Sequence, residues 1–427
     1  MNEMNENMQN EVIDLDATSN NSIPNIGKTH DKKKLIVIGL LVTSVVVIGL
    51  SAYILINKNK SPKVVADGQT VEDKMQDGAS GSETLFDQGE KTHPSPINGV
   101  MYTDKQYEVF SKRRPLAVMI NNHVQARPQY GVSYADIIYE IVAEGGITRW
   151  LTIFHSQGAG QVGPVRSARV FYVSIAAGYN PFYAHWGGAY VNPTDPENTT
   201  NPEADVYTYM NKIGLPSLDQ AYVGSTEFNG KPAYYRDNSR DVPLEHTGYA
   251  DTNVLWNLPG TGIKAIYPEP EWKKYTPFGE WTFKEDATVA TRPASASLSF
   301  NFWEEPDFAV KYEYNTSTNS WDRTQGGTPT LDAGNNNKKI SPKTVIVMFA
   351  TERSAGDKKG HLFYDVIGSG TAKIYMDGKE TAGKWIKTSA GERENFYDSL
   401  GNQIKFNRGQ IWVEVLPAGN TVSFVSQ

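Results

Sequence analysis

The hydrophobic and polar positions divide the chain into four parts. Residues 1–34 are rich in Asn, Asp, Glu and Ser, a composition that predicts a short disordered tail. Residues 35–56 are apolar or small and carry no charge, whereas residues 57–98 are polar again and predict a flexible linker. From residue 99 onward, short apolar runs alternate with turn residues, which predicts folded structure.

The first half of the folded region, residues 99–272, mixes strand and helix patterns. Gly145–Gly146 separates two apolar runs and predicts the turn of a hairpin. Strands are predicted over residues 114–120, 135–142, 148–155 and 182–186. Helices are predicted over residues 164–177, 202–213 and 251–258. This mixture predicts an α+β or α/β domain.

The second half, residues 273–427, has a different texture, because no long helical pattern occurs and turn residues recur at short intervals. Strands are predicted over residues 296–302, 308–314, 344–349, 361–367, 372–376, 403–406, 411–415 and 422–425. The pattern predicts a mostly β domain.

The apolar run at residues 35–56 is long enough to cross a membrane. As a helix it spans roughly 30 Å, the thickness of the hydrocarbon core. A signal peptide is the competing interpretation, although its apolar region is usually shorter. Four lysines precede the run and four follow it, so their number does not orient it. The block Lys32, Lys33 and Lys34 directly before the run favours a cytoplasmic N-terminus, with the main body outside the cell.

Composition excludes several kinds of chemistry. The chain has no cysteine, which excludes disulfides, thiolate metal sites and cysteine nucleophiles. Its net charge of −7 gives no overall positive charge of the kind that favours binding to nucleic acid. The sequence contains no HExxH, SxxK, GxSxG or Walker motif, so we predict neither a metal nor a cofactor.

Several long motifs run through the folded region. In the first half they read RPLAVMINN (114–122), ARPQYG (126–131), ADIIYE (135–140), EGGITR (144–149), GPVRSAR (163–169) and HWGG (185–188). In the second half they read YNTSTNSWD (314–322), QGG (325–327), VIVM (345–348) and NRGQIW (407–412). Together these motifs resemble those of the YerB-like family, and the resemblance covers roughly residues 110 to 425. It implies two domains of unknown function on proteins assigned mostly as lipoproteins of Gram-positive bacteria.

One departure from that family concerns the anchor. Leu50, Ser51 and Ala52 look like the small-residue box that precedes a lipidated cysteine, but Tyr53 follows. Since the chain has no cysteine, we expect the apolar helix itself to anchor an uncleaved precursor.

An arginine cluster is the sharpest candidate for chemistry. Arg166 and Arg169 are three residues apart and would share one face at the start of the predicted helix, where anions are favoured. Arg149 could join them from the neighbouring strand, and Arg127 is a further candidate. Guanidinium groups suit phosphate or carboxylate. The alternative is that these arginines pair internally with Asp136, Glu140 and Glu144.

Two other sets of residues are weaker candidates. The carboxylates Asp136, Glu140 and Glu144 repeat at a spacing of four, which on a strand places them on one face and could support acid–base chemistry on sugars. His185, at a strand end before two glycines, and His246 could also belong to a site. Structural roles explain all five residues as well.

The sequence therefore supports two hypotheses about function. The preferred one is a membrane-anchored extracytoplasmic module that binds cell-wall polymer or envelope proteins. The alternative is an enzyme that acts on an anionic glycan or phosphopolymer through the arginine cluster.

Overall fold

The computed structural model of the protein describes residues 89–258 and 278–427. The predicted tail (1–34), the apolar segment (35–56) and most of the predicted linker lie outside these ranges. Within them, no helix combines the length and apolar character needed to cross a bilayer. The described residues all lie within one compact unit.

Among the residues that the structure describes, the first half of the folded region supplies five strands to the main sheet, together with five α-helices. The strands are β1 (Leu116–Asn121), β2 (Ile137–Glu144), β3 (Ile147–Phe154), β4 (Phe182–His185) and β5 (Ser217–Asp219). The helices are α1 (Asp104–Phe110), α2 (Val170–Ala177), α3 (Val206–Ile213), α4 (Gln220–Val223) and α5 (Thr252–Asn257).

The second half supplies ten strands to the two larger sheets of the described residues. These are β6 (Ala296–Phe300), β7 (Val310–Asn315), β8 (Ser320–Gln325), β9 (Thr328–Pro329), β10 (Thr344–Ala350), β11 (Gly368–Met376), β12 (Lys379–Lys387), β13 (Asn395–Asp398), β14 (Ile411–Pro417) and β15 (Ser423–Ser426). Short two-stranded pairs complete the fold: His93–Pro94 with Met101–Tyr102, Glu227–Phe228 with Lys231–Pro232, Tyr234–Arg236 with Gly248–Ala250, Thr282–Lys284 with Lys405–Asn407, Leu331–Asp332 with Lys338–Lys339, and Glu352–Ser354 with Leu362–Tyr364.

Strands from both halves form a single ten-stranded sheet. Its order is β13-β12-β11-β10-β14-β2-β3-β1-β4-β5. β14 lies between β10 and β2 and runs parallel to both, so it joins the strands of the second half to those of the first. A second sheet, in the order β9-β8-β7-β6-β15, is antiparallel and lies entirely in the second half.

Burial explains why these segments form strands. β2 and β14 are buried along almost their whole length, as expected for central strands covered on both faces, and each is an apolar run with one internal glutamate. In β6 and β7, buried apolar residues alternate with more exposed polar ones, so one face of the smaller sheet packs inward and the other faces solvent.

The structure confirms the mixed first half and the mostly β second half. It also confirms the predicted hairpin, in which β2 pairs antiparallel with β3 across Gly145 and Gly146. Both glycines have positive φ, +57° and +74°, which a two-residue hairpin turn requires and which other residues rarely adopt.

Two predicted boundaries need correction. The folded region begins before residue 99, because Ile97 is wholly buried and the side chain of Asn98 donates a hydrogen bond to Asp136. The helix predicted over residues 164–177 begins only at Val170. Residues 164–169 are extended instead, because their backbone groups bond to neighbouring segments rather than to one another.

Candidate functional site

The segment that carries Arg166 and Arg169 is threaded between two strand ends. The backbone N–H of Arg166 donates to the carbonyl of Met119 in β1 (2.9 Å), and the N–H of Ala168 donates to that of Gly187 after β4 (3.0 Å). Arg169 is the N-cap residue of α2 and has extended backbone angles. The predicted helical spacing of the two arginines is therefore wrong, although tertiary structure still brings them near each other.

Arg149 and Arg169 converge on one carboxylate. Nη2 of Arg149, in β3, lies 2.6 Å from Oε2 of Glu144 at the end of β2, and Nε of Arg169 contacts Oε1 of the same side chain. Burial opposes ionisation of Glu144, but the two guanidinium groups overcome it and hold its pKa at about 2. The internal-pairing alternative is thus correct for these two arginines, with Glu144 as the partner.

Arg166 differs from its two neighbours. Its side chain is half-buried, yet it forms no hydrogen bond or ion pair with any residue in the described part of the chain. Burial lowers its pKa, the charge of Glu245 opposes that shift, and the charge of Arg169 adds to it. A partly desolvated guanidinium without a fixed partner keeps its donors available for an anion.

Two histidines lie beside Arg166. The rings of His123 and His246 stack with centroids 4.6 Å apart, and Nδ2 of Asn121 lies 2.8 Å from Nδ1 of His246. Burial lowers the pKa of both histidines. The charges of Arg127 and then Arg166 lower that of His123 further, and the charges of His123 and Arg166 lower that of His246. Both rings are therefore largely neutral near pH 7 and can exchange a proton with a bound group.

These residues form a cationic cluster, defined here as Arg149, Arg166, Arg169, His123 and His246. Burial and the charge of Arg169 lower the pKa of Arg149 to about 10, a sign that the guanidinium groups repel one another. Glu144 and Glu245 supply two negative charges against three guanidinium groups. The cluster thus has a positive excess that a phosphate or carboxylate would neutralise.

His185 and Asp136 are buried away from the cationic cluster, and their polar atoms are engaged within the fold. His185 is wholly buried, with Nδ1 2.8 Å from the carbonyl oxygen of Gly187 and Nε2 2.7 Å from Oγ of Ser217. Asp136 is also buried and accepts hydrogen bonds from Asn98 and from the N–H of His155 (2.7 Å). Burial raises the pKa of Asp136 to about 6 and lowers that of His185.

The three predicted carboxylates do not form a catalytic pair. Asp136 precedes β2, Glu140 lies in its middle and Glu144 at its end. Four residues of strand span roughly 13 Å, more than the roughly 5–9.5 Å that separates the carboxyl groups of glycosidases. Each carboxylate instead has its own set of partners.

Arg127 lies in a different place, at a cavity of about 210 Å³ between the two halves. Its Nη1 donates to the carbonyl of Asp307 (2.9 Å), and its guanidinium lies 4.9 Å from the ring centroid of Phe308. Burial lowers its pKa to about 10. Arg127 is therefore not counted in the cationic cluster, although its charge lowers the pKa of His123.

A buried ionic group joins the halves, and sequence reasoning did not find it. Arg323 in β8 contacts Glu140 in β2, and its Nε lies 3.5 Å from Oε1 of Glu414 in β14. All three side chains are wholly inaccessible to solvent. The signal was present, since Glu140 and Glu414 are lone charges inside apolar strands, but sequence alone did not show their common partner.

The chain matches two adjoining family domains. Residues 99–264 match the N-terminal domain, and residues 298–413 the C-terminal domain, of a family described as "Protein of unknown function (DUF3048)". The chain belongs to this family, as its resemblance to YerB-like proteins predicted.

One relative has both a sequence and a solved structure. "Putative lipoprotein YerB" of Bacillus subtilis (strain 168) is 26% identical over 324 residues, which cover 76% of this chain and 86% of that protein. The crystal structure of the YerB protein from Bacillus subtilis covers 78% of this chain and all of its own, with 24% identity and a TM-score of 0.60. That likeness establishes a shared fold.

Proposed function

We propose that this protein is an extracytoplasmic envelope module, held by a single membrane-spanning helix, that binds an anionic cell-wall polymer at the cationic cluster. The name of its relative, "Putative lipoprotein YerB", supports a location of the folded region on the extracytoplasmic side of the cell membrane. The apolar run at residues 35–56, in a chain without cysteine, supports anchoring by a helix rather than by a lipid.

The binding proposal rests on the side chain of Arg166, which is half-buried and has no ion-pair partner among the described residues. Arg149 and Arg169 are held in place by Glu144, so they form a rigid cationic background. Arg166, with no ion-pair partner among the described residues, adds donors that a phosphate can bridge. The neutral imidazoles of His123 and His246 add hydrogen bonds without the cost of burying further charge.

Arg166→Ala should weaken binding to the wall by about tenfold or more, the usual value of a hydrogen bond to a charged group. The measurement is co-sedimentation of the fragment 76–427, the compact unit of the fold, with walls purified from Bacillus subtilis. Extraction of the anionic polymers from the walls should weaken binding of the unchanged fragment to a similar extent, and added salt should do the same.

Lys384→Ala is the matched control, because it removes one exposed positive charge from β12, on the opposite part of the main sheet. Equal retention of the Arg166→Ala and Lys384→Ala fragments would refute the proposal. Release of phosphate or of shortened polymer during the incubation, abolished by His246→Ala, would instead favour the enzymatic alternative.

The anchor is testable separately. In a full-length chain with an N-terminal tag, we expect the tag and the C-terminal domain to appear together in the membrane fraction, at the mass of the uncleaved chain. A signal peptide would be removed, so loss of the tag from the mature form would contradict the spanning helix.

A further inference from the structure

A second candidate site lies on the smaller sheet and shares no residue with the cationic cluster. An open cleft of about 1040 Å³ runs over the solvent-facing side of β6, β7, β8 and β15. Its volume is at the upper end of the range for small-molecule pockets, and one side is open, so it suits an extended chain better than a single compact molecule.

The floor of the cleft is a row of polar side chains across four strands. Ser299 in β6 pairs with Lys311 in β7 and with Ser423 in β15, and Lys311 pairs with Thr324 in β8. Directly paired residues in antiparallel strands point to the same face. With strands about 4.8 Å apart, the row is roughly 14 Å long.

The wall of the cleft combines an aromatic ring with carboxylates. Trp303 is half-buried, and its Nε1 donates to Oε2 of Glu352 (3.1 Å), which also accepts from Tyr364. Asn420 on the opposite loop donates to the carbonyl oxygens of residues 301 and 302 (2.8 and 2.7 Å) and fixes the two walls together. The cleft is therefore a built feature of the fold.

The charges on the cleft select against an anion. Glu304, Glu305 and Glu352 line it, and Lys311 is the ammonium group on its floor, itself 2.7 Å from Glu313. Glu304 and Glu305 are exposed and form no ion pair with a described residue. Carboxylates accept hydrogen bonds from hydroxyl and amide groups, while they repel phosphate.

We propose that this cleft binds an uncharged glycan chain. Sugar rings present an apolar face that packs on Trp303, and their hydroxyl groups match the acceptors of the wall and the row of donors on the floor. The protein would then bind two polymers that differ in charge: an anionic polymer at the cationic cluster and an uncharged glycan in this cleft.

The test is calorimetric titration of the full-length protein in detergent with the hexamer of N-acetylglucosamine and with cellohexaose. We expect at least one of these probes to bind, and we expect Ser299→Arg to abolish its binding, because the long side chain fills the cleft from an exposed floor position. Trp303→Ala should weaken binding by about tenfold.

Ser297→Arg is the matched control, since Ser297 lies on the same face of the same strand, two residues away, and does not line the cleft. It should bind the glycan normally. Failure of the unchanged protein to bind both probes, or unchanged binding by Ser299→Arg, would overturn the proposal. Because Arg166→Ala should leave glycan binding intact, failure here is distinguishable from failure at the cationic cluster.

Discussion

Replacing Glu140 by glutamine should lower the free energy of unfolding by about 3–5 kcal/mol, the usual cost of removing one partner from a buried ion pair. Glu140 accepts hydrogen bonds from Asn122 (3.0 Å), Thr148 (2.6 Å) and Gln325 (2.8 Å) and contacts the guanidinium of Arg323. A glutamine has nearly the same shape, but its NH₂ group would face donors, and Arg323 would lose its nearest charged partner and keep only Glu414, 3.5 Å from its Nε.

The measurement is chemical denaturation of the fragment 76–427 at pH 7. Glu414→Gln is the matched control, because it makes the same substitution on the neighbouring strand and retains the oxygen that accepts from Tyr312 (2.6 Å). We expect that variant to lose no stability at pH 7. Equal losses in the two variants would show that the carboxylates are equivalent and would contradict the assignment of the ionic partner to Glu140.

Glu414→Gln should also change how stability depends on pH. Burial, together with the charge of Glu140, raises the pKa of Glu414 to about 8 against the opposing effect of Arg323. The folded protein therefore holds a proton that the unfolded chain loses near pH 4.5. Stability should fall as pH rises from about 5 to about 8, by at most about 1.4 kcal/mol per pH unit.

The variant cannot lose this proton, so its stability should be flatter over the same window. We expect it to match the unchanged fragment near pH 5 and to exceed it above pH 8, where the buried carboxylate is ionised. Thermal melts of both proteins from pH 5 to pH 9 measure the difference. Parallel curves would mean that another group causes the pH dependence.

Local pattern predicted much of the fold because short-range chemistry controls it. The hairpin of β2 and β3 follows from two apolar runs and a Gly-Gly turn, and the buried strands follow from their composition. The helix prediction for residues 164–169 was wrong because the backbone partners of this segment, Met119 and Gly187, are distant in sequence. Tertiary hydrogen bonds there outweigh the helical preference of the segment.

The candidate site was predictable only in part for the same reason. The arginines were visible as a motif, but which of them a carboxylate neutralises depends on how β2, β3 and α2 meet. Glu140 and Arg323 are separated by 183 residues, so no local spacing relates them. His123 was missed because its significance comes from stacking on His246, which lies far along the chain.

The central position of β14 constrains the order in which the protein can be completed. This strand spans Ile411–Pro417, far along the chain from β2, yet it fills the gap between β2 and β10. During synthesis, both of those strands keep an unpaired hydrogen-bonding edge until β14 has been made. Such edges recruit other chains, so a nascent or truncated molecule is at risk of aggregation until β14 takes its place.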